Sequence, residues 1–225
     1  MRLVIVCIGA VIFFVVMSFS FFQKKKTVVF FGDSITQAAV NHGGYIDILK
    51  QELEKKGKGD QYQLIGAGIS GNKVPDLQQR LQKDVLSKNP DQVFIYIGIN
   101  DVWHYSHPCC KEKGGTPKEQ FENGLADVVN KIKASGAEVV ICTPSVIGEK
   151  TAGNEQDKML DEYANISRKV AKPTNSKLCD LRKSFQQELK KINTENKKEG
   201  ILTSDGVHLN DQGNKLVAQQ MLKYL

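Results

Sequence analysis

The sequence predicts an α/β protein, a three-layer α/β/α domain on a flavodoxin-like five-stranded parallel sheet with strand order 2-1-3-4-5. Two observations favour this fold class. Short apolar runs typical of strands alternate with longer segments of helical periodicity, and such alternation favours parallel strands covered by helices on both faces. With 225 residues, 40% of them hydrophobic, the chain is long enough to bury one full core.

The predicted elements follow one another from residue 27 to the end of the chain. Residues 28–31 form a continuous apolar run, typical of a strand buried on both faces. Pro75 suits the first turn of the second helix, and Asn210 or Asp211 suits the cap of the last. The predicted strands are TVVFF, YQLIGAG, QVFIYIGI, AEVVICTPS and SKLCDL. The predicted helices are 44–56, 74–87, 117–134, 155–170, 182–193 and 211–225.

Residues 1–26 are predicted to be a hydrophobic signal or membrane anchor with a lysine flank, followed by one domain over residues 27–225. Leu3 to Phe22 is almost uninterrupted apolar sequence, and about 20 such residues suffice to cross a bilayer. No small-x-small cleavage site precedes Lys24, which favours retention of the segment. We therefore expect a protein of the cell envelope, membrane-anchored or exported. The three lysines and the short basic N-terminus indicate opposite topologies, so the side of the membrane stays open.

Charge and cysteine content limit the classes of partner. Four of the 31 basic residues and no acidic residue lie in the first 26 positions, so the remainder has 27 basic against 25 acidic residues. A net charge of +2 without a basic cluster argues against a nucleic-acid partner. Cys142 and Cys179 fall in apolar strand patterns, where a thiol is usually a small buried hydrophobe. A domain of this size needs no disulfide framework, so none is expected.

Polar and glycine-rich segments follow the predicted strands. Gly32-Asp33-Ser34 follows the first strand, GAGISGNKV the second and GIND the third, while SDGVHLN precedes the last helix. In open α/β sheets, ligands bind at the carboxyl edge of the strands. A serine, backbone amides next to glycines, a side-chain amide and an Asp-x-x-His pair are the parts of an acyl-transfer site. Taken alone, Asp33 and Ser34 would more often only cap a helix or a turn. Likewise, Asn100 could be a helix cap, Asp205-Gly206 a turn and His208 a packed loop residue.

Together, the four segments resemble the motif blocks of the GDSL, or SGNH, family of lipases and esterases. Ile35 stands where the family name has leucine, which is an apolar exchange. Each block alone is a weak signal, but four blocks in order at the right strand ends are a strong one. The resemblance covers residues 27–225 and implies an SGNH hydrolase domain there. The matching residues are Gly32, Asp33, Ser34, Gly71, Asn100, Asp205 and His208.

The resemblance implies a Ser-His-Asp triad and an oxyanion hole. Ser34 would be the nucleophile, His208 the base and Asp205 the group that orients the imidazole. The backbone amides of Ser34 and Gly71, with the Asn100 side chain, would stabilise the oxyanion. The implied activity is hydrolysis of carboxylic esters through an acyl-enzyme. It needs no cofactor and no metal, and the expected partner is a small-molecule ester substrate.

Several alternatives stay open at the level of sequence. Short loops predict an open site, which favours small acyl groups such as carbohydrate acetyl esters over a lysophospholipase or thioesterase acting on longer chains. A non-catalytic flavodoxin-like module could bind phosphate or a nucleotide at the same sheet edge, but it would not need the Asp205-x-x-His208 pair. Nothing in the sequence predicts the oligomeric state.

The stretch between Ile99 and Pro117 is the single long irregular segment, and long loops are often functional. Trp103 and Tyr105 in it are candidates to shape an acyl or sugar site. Structural zinc sites usually draw a second ligand pair from elsewhere, and none is evident, so a pocket-lining loop is the favoured interpretation. The four potential zinc ligands of the loop are His104, His107, Cys109 and Cys110.

Overall fold

The computed structural model describes residues 24–108, 112, 114–151 and 154–225 as a parallel sheet between two layers of helices. The predicted segment Leu3 to Phe22 and the loop residues Cys109 and Cys110 lie outside these residues. The strands are β1 (Lys26–Gly32), β2 (Tyr62–Gly68), β3 (Gln92–Tyr96), β4 (Glu138–Cys142) and β5 (Lys177–Cys179). The helices are α1 (Ser34–Ala38), α2 (Tyr45–Lys55), α3 (Val74–Asp84), α4 (Ile99–Trp103), α5 (Lys118–Ala134), α6 (Glu155–Ala171), α7 (Leu181–Ile192) and α8 (Asp211–Met221).

The five strands are all parallel and lie in the order β2-β1-β3-β4-β5, which confirms the predicted sheet. β1 lies inside the sheet, where Phe30 pairs with Gly66 of β2 on one side and with Phe94 of β3 on the other. The rings of Phe30 and Phe94 stack with their centroids 5.0 Å apart. Val28 to Phe31 are at most 1% exposed, because helices cover both faces of the strand.

The helices form two groups on opposite faces of the sheet. α3 packs against α5 and α5 against α6, while α2 and α7 both pack against α8. The connection from β1 to β2 runs in the opposite direction along the sheet from the connections β2–β3, β3–β4 and β4–β5. Because such crossovers are right-handed, the reversal places α2 and α3 on opposite faces. A crevice therefore opens between β1 and β3, and ligands of open α/β sheets bind at such switch points.

The observed elements agree with the predicted ones to within a few residues, with two exceptions near the switch point. The predicted strand 92–99 ends at Tyr96, because a φ of +124° at Gly98 turns the chain out of the extended conformation. The stretch predicted to be irregular then begins with α4, and α1 was not predicted either. Both are single-turn helices, too short for hydrophobic periodicity to reveal.

Cys142 and Cys179 are register partners on the neighbouring strands β4 and β5. Both are buried free thiols, as expected for small apolar residues of the core, and burial raises the pKa of the Cys142 thiol. In the part of the chain that the structure describes, no helix is both long enough and apolar enough to cross a bilayer.

Candidate active site

Ser34 lies at the switch point, as the first residue of α1 directly after β1. The Asp33 carboxylate caps this short helix by accepting a hydrogen bond from the Ile35 N–H at 3.0 Å. Gly32 is required by close packing, since a Cβ there would lie 2.3 Å from Thr36 Oγ1 and 2.4 Å from the Tyr96 carbonyl oxygen. The tight turn from β1 into α1 thus presents the serine at the carboxyl edge of the sheet.

Ser34, His208 and Asp205 form a continuous chain of hydrogen-bonding contacts. Ser34 Oγ lies 2.9 Å from His208 Nε2, and His208 Nδ1 lies 2.7 Å from Asp205 Oδ2. An ionised carboxylate only accepts hydrogen bonds, so Nδ1 carries the proton and the lone pair of Nε2 faces the serine hydroxyl. In this tautomer the imidazole can take a proton from Ser34.

The charge of Asp205 is stabilised within its own loop. Burial opposes the charge, but hydrogen bonds from the His208 imidazole and from the N–H groups of His208 and Val207 outweigh it and lower the pKa of Asp205. The N–H groups of Val207 and His208 donate to Asp205 Oδ1 at 2.9 and 2.8 Å. The Ser204 N–H donates to the His208 carbonyl oxygen at 2.8 Å, which closes the loop. The carboxylate and the imidazole therefore form one compact unit.

Asn100 and the Gly71 loop lie on the other side of the switch point. Asn100 is 3% exposed, and its Nδ2 donates to the carbonyl oxygen of Asn72 at 3.1 Å. Its amide nitrogen carries a second hydrogen, which remains for another acceptor. Gly71 has a φ of +77°, with open space where a Cβ would stand. The structure thus places the Asn100 amide next to the residue that follows Gly71.

Two buried carboxyl groups lie beneath the site. Burial, reinforced by the nearby charge of Asp101, raises the pKa of Asp33 to about 7. Burial likewise raises the pKa of Asp101 to about 6. Asp101 Oδ1 accepts a hydrogen bond at 3.1 Å from the N–H of Val74, the first residue of α3. The Asp101 side chain, which belongs to α4, therefore connects that helix to the start of α3.

The segment after β3 lies against the site. The Trp103 ring centroid is 6.2 Å from that of His208 and 4.2 Å from that of His107, and His104 is 4% exposed. Among residues 24–108, 112, 114–151 and 154–225, no group of three or more His, Cys, Asp or Glu side chains could hold a metal ion. The predicted candidates Cys109 and Cys110 lie outside these ranges.

A cavity of about 520 Å³ adjoins the site. Its lining combines the Trp103 ring and the apolar residues Pro108, Ile147 and Val207 with a larger number of polar and charged side chains. A cavity of about 590 Å³ lies at the amino ends of β1 and β2, beside Lys25 and Tyr62, and thus at the edge of the sheet opposite Ser34. The lining of the smaller cavity includes Trp103, His107, Lys150, Asn154, Lys198 and Asp205.

Two charged residues that sequence reasoning missed contact the loops of the site. Arg80 of α3 donates to Asn72 Oδ1 and to the carbonyl oxygens of Gly32 and Ala67. Glu149, in the loop after β4, is fully buried and accepts hydrogen bonds from the segment that leads to Asp205. In the sequence, Glu149 comes shortly after the predicted strand AEVVICTPS, and a carboxylate in the loop beyond a strand end was a signal that could have indicated it. In the sequence, Arg80 looks like an ordinary exposed residue of a helix, and nothing there indicates a role at the site.

This sheet order, with a serine, a histidine and an aspartate in contact at the switch point, is the architecture of an SGNH-type esterase. The GDSL-like Lipase/Acylhydrolase family matches residues 30–216, and the chain belongs to this family. It is an ester-hydrolysing enzyme.

Relatives of known structure or activity are similar over most of the chain. The crystal structure of the acetyl xylan esterase AlAXEase is 50% identical, with a TM-score of 0.85, and the match covers 88% of this chain and 99% of that one. An acetylxylan esterase of Geobacillus stearothermophilus is 35% identical over 164 residues, 71% of this chain and 70% of that protein.

A solved structure of the acetylxylan esterase Axe2 from the same organism is 26% identical, with a TM-score of 0.78, over 89% of this chain and 95% of that one. That structure is of a catalytic mutant in which a serine is replaced by alanine. Another catalytic mutant of Axe2 has an aspartate replaced by alanine.

Proposed function

We propose that the protein is a serine esterase that removes acetyl groups from carbohydrate through an acetyl-enzyme intermediate. The observation that carries the proposal is the chain of contacts from Ser34 Oγ to His208 and on to Asp205, at 2.9 and 2.7 Å. The acetylxylan esterase relatives support the substrate class. The serine and aspartate mutants of Axe2 support the same residue types in catalysis.

In the first half of the reaction, Ser34 Oγ attacks the carbonyl carbon of the ester while His208 Nε2 takes the hydroxyl proton. Asp205 holds the Nδ1–H and stabilises the imidazolium. The N–H groups of Ser34 and Gly71 and the Asn100 amide donate to the oxyanion. The tetrahedral intermediate then breaks its bond to the alcohol oxygen. That oxygen leaves with the proton from His208, and the acetyl group stays on Ser34.

In the second half of the reaction, water takes the place of the alcohol. His208 removes a proton from the water as its oxygen attacks the acetyl carbonyl, and the same donors hold the second oxyanion. Collapse of this intermediate returns the proton from His208 to Ser34 Oγ and releases acetic acid. One ester and one water thus give one alcohol and one acetic acid, with no cofactor and no metal in the scheme.

The surroundings of Ser34 favour a small acyl group on a large polar alcohol. The side chains of His208 and Asp205 are 37% and 50% exposed, so a saccharide chain can reach the site from solvent. The adjoining cavity presents the Trp103 ring together with amide and ammonium donors such as Asn154 and Lys150, which suit sugar hydroxyl groups. A long acyl chain would need a mainly apolar wall to remove its methylene groups from water, whereas polar and charged side chains outnumber apolar ones in this lining.

We also propose that residues 1–26 are a signal or membrane anchor and that the domain over 27–225 acts in the cell envelope. The basis is the apolar sequence of Leu3 to Phe22, which is long enough to cross a bilayer.

The test is a substrate panel measured on the wild type and on Ser34→Ala. Acetate release from acetylated xylo-oligosaccharides should exceed hydrolysis of p-nitrophenyl esters of long acyl chains. Ser34→Ala should lower kcat by about 10⁴–10⁶-fold, as loss of a triad nucleophile does. A fluorophosphonate should label wild type once, on Ser34. Preferred cleavage of long-chain esters would reject the substrate class, and undiminished labelling of Ser34→Ala would reject the nucleophile.

A further inference from the structure

Glu149 is a buried carboxylate satisfied by the backbone of a distant loop. It lies seven residues after the end of β4 and is 0% exposed. Its Oε1 accepts hydrogen bonds from the N–H groups of Leu202 and Thr203 at 2.6 Å and from Thr203 Oγ1 at 2.7 Å, and its Oε2 accepts from the Ile201 N–H at 2.8 Å. All four partners are donors, so both oxygens act only as acceptors, as those of an ionised carboxylate do.

These bonds continue directly into the loop that carries Asp205 and His208. Thr203 Oγ1, which donates to Glu149, accepts a hydrogen bond from the Gly206 N–H at 3.1 Å. The Gly148 N–H donates to the Gly206 carbonyl oxygen at 2.7 Å. Gly148 and Glu149 thus hold the chain on both sides of Asp205, at Thr203 and at Gly206. The carboxylate of Asp205 in turn fixes the imidazole of His208.

We infer that Glu149 is a positioning residue, which sets the Asp205–His208 loop at hydrogen-bonding distance from Ser34. Its complete burial keeps it from touching substrate, so it acts only through the loop. The inference rests on the proposed function, in which His208 is the base for Ser34. A misplacement of about 1 Å in such a site can lower the rate by roughly 10²-fold.

The Glu149→Gln variant tests this role with little change of volume. One acceptor oxygen becomes an NH₂ group that faces backbone N–H donors, so the loop must shift to separate donor from donor. We expect fluorophosphonate labelling of Ser34 to slow by roughly 10²-fold, with kcat for p-nitrophenyl acetate falling in parallel while KM changes by less than about twofold. The downfield proton NMR signal of the His208 Nδ1–H, bonded to Asp205, should broaden or shift.

Thr203→Val provides a second variant and carries the test if Glu149→Gln does not fold. Valine keeps the volume but removes the hydroxyl that joins Glu149 to the Gly206 N–H. Because the three backbone N–H bonds to Glu149, from residues 201, 202 and 203, remain, the labelling rate should fall less, by about tenfold.

Asp180→Asn is the matched control. Its carboxylate accepts from Arg168, the Lys183 N–H and Thr143 Oγ1, all outside the loop of residues 200–208. This variant should lose stability yet label at the wild-type rate with an unchanged His208 signal. The inference is wrong if folded Glu149→Gln labels as fast as wild type, or if Asp180→Asn slows labelling equally. Acetate release by the wild type tests the proposed substrate separately, because the ratio of labelling rates does not depend on it.

Discussion

At the scale of single residues, variants of the buried Asn100 can distinguish a catalytic role of its side chain from a purely structural one. One hydrogen of its amide is bonded to the Asn72 carbonyl oxygen, which aims the group toward the Gly71 loop. The sequence left open that Asn100 caps a helix. Instead, the residue lies within α4, and its side chain donates a hydrogen bond to the Asn72 carbonyl oxygen, where a cap would accept one from a backbone N–H.

Asn100→Ala is expected to lower kcat by about 10²–10³-fold with little change in KM, as loss of one oxyanion donor does. Asn100→Asp should be at least as damaging, because a carboxylate would face the oxyanion. Steady-state kinetics and thermal melting are measured on the same preparations. If the amide only ties the Gly71 loop, alanine would instead cost about 1–3 kcal/mol of stability and spare kcat.

The raised pKa of Asp33 predicts that the stability of the folded protein depends on pH. Its pKa is about 7 in the folded protein, against an ordinary value of 3.8. Between these values the folded state holds a proton that the unfolded state has released, so the free energy of unfolding falls as the pH rises from about 4 to about 7. The loss due to Asp33 should be of the order of a few kcal/mol.

The Asp33→Asn variant should show a flatter profile, because the amide oxygen can still cap α1 but cannot titrate. Urea unfolding of both proteins from about pH 5 to about pH 8 measures the difference. Some slope of the same sign should remain, since the pKa of Asp101 is also raised, to about 6. Equal slopes in the two proteins would contradict the role assigned to Asp33.

At the scale of elements, Arg80 of α3 joins the ends of two strands to the Gly71 loop. Its guanidinium donates to the carbonyl oxygens of Gly32 and Ala67 at 2.6 and 2.9 Å and to Asn72 Oδ1 at 2.6 Å. It also pairs with Asp84 and lies over the Phe31 ring, 4.5 Å from its centroid. The Gly71 loop is thus held by the rigid helix α3 as well as by its own turn.

Arg80→Ala is expected to destabilise the protein by at least about 2 kcal/mol, because several charge-assisted bonds are lost. It should also lower kcat by about tenfold or more, since the loop that carries Gly71 is released. Arg168→Ala is the matched control. Its guanidinium binds Asp180 and Asn165 away from the site, so it should lose stability and keep kcat. Normal kcat in folded Arg80→Ala would show that the turn alone positions the loop.

At the scale of the whole molecule, the sheet and its helices are continuous from β1 onward, and β1 begins at Lys26. A chain starting at Lys24 should therefore fold and keep the wild-type kcat, since it retains all five strands. The full-length protein should float with lipid vesicles on a density gradient, whereas the shortened chain should stay in the aqueous fractions. Full-length protein found only in the aqueous fractions would reject the membrane-anchor proposal.

The fold class, the strand order and the family could all be predicted from the amino-acid sequence, and the observed sheet has the predicted order. Apolar runs and helical periodicity extend over enough residues to be recognised in the sequence. The strand-end motif blocks follow the predicted strands in order along the chain. The resemblance also named Ser34, Asp205 and His208 as site residues. The structure brings them into contact although Ser34 and His208 are 174 positions apart. Their catalytic roles stay predictions until the variants are measured.

The sequence did not predict which distant groups hold the site together. Asp101 bonds to the start of α3, Arg80 reaches across from α3 to two strand ends, and Glu149 binds backbone groups 52 to 54 positions away. Periodicity reports which face of an element is buried, but not which element lies opposite. These contacts form because each connecting helix lies on a particular face of the sheet. For that reason, the groups that position the site became visible only once the chain was folded.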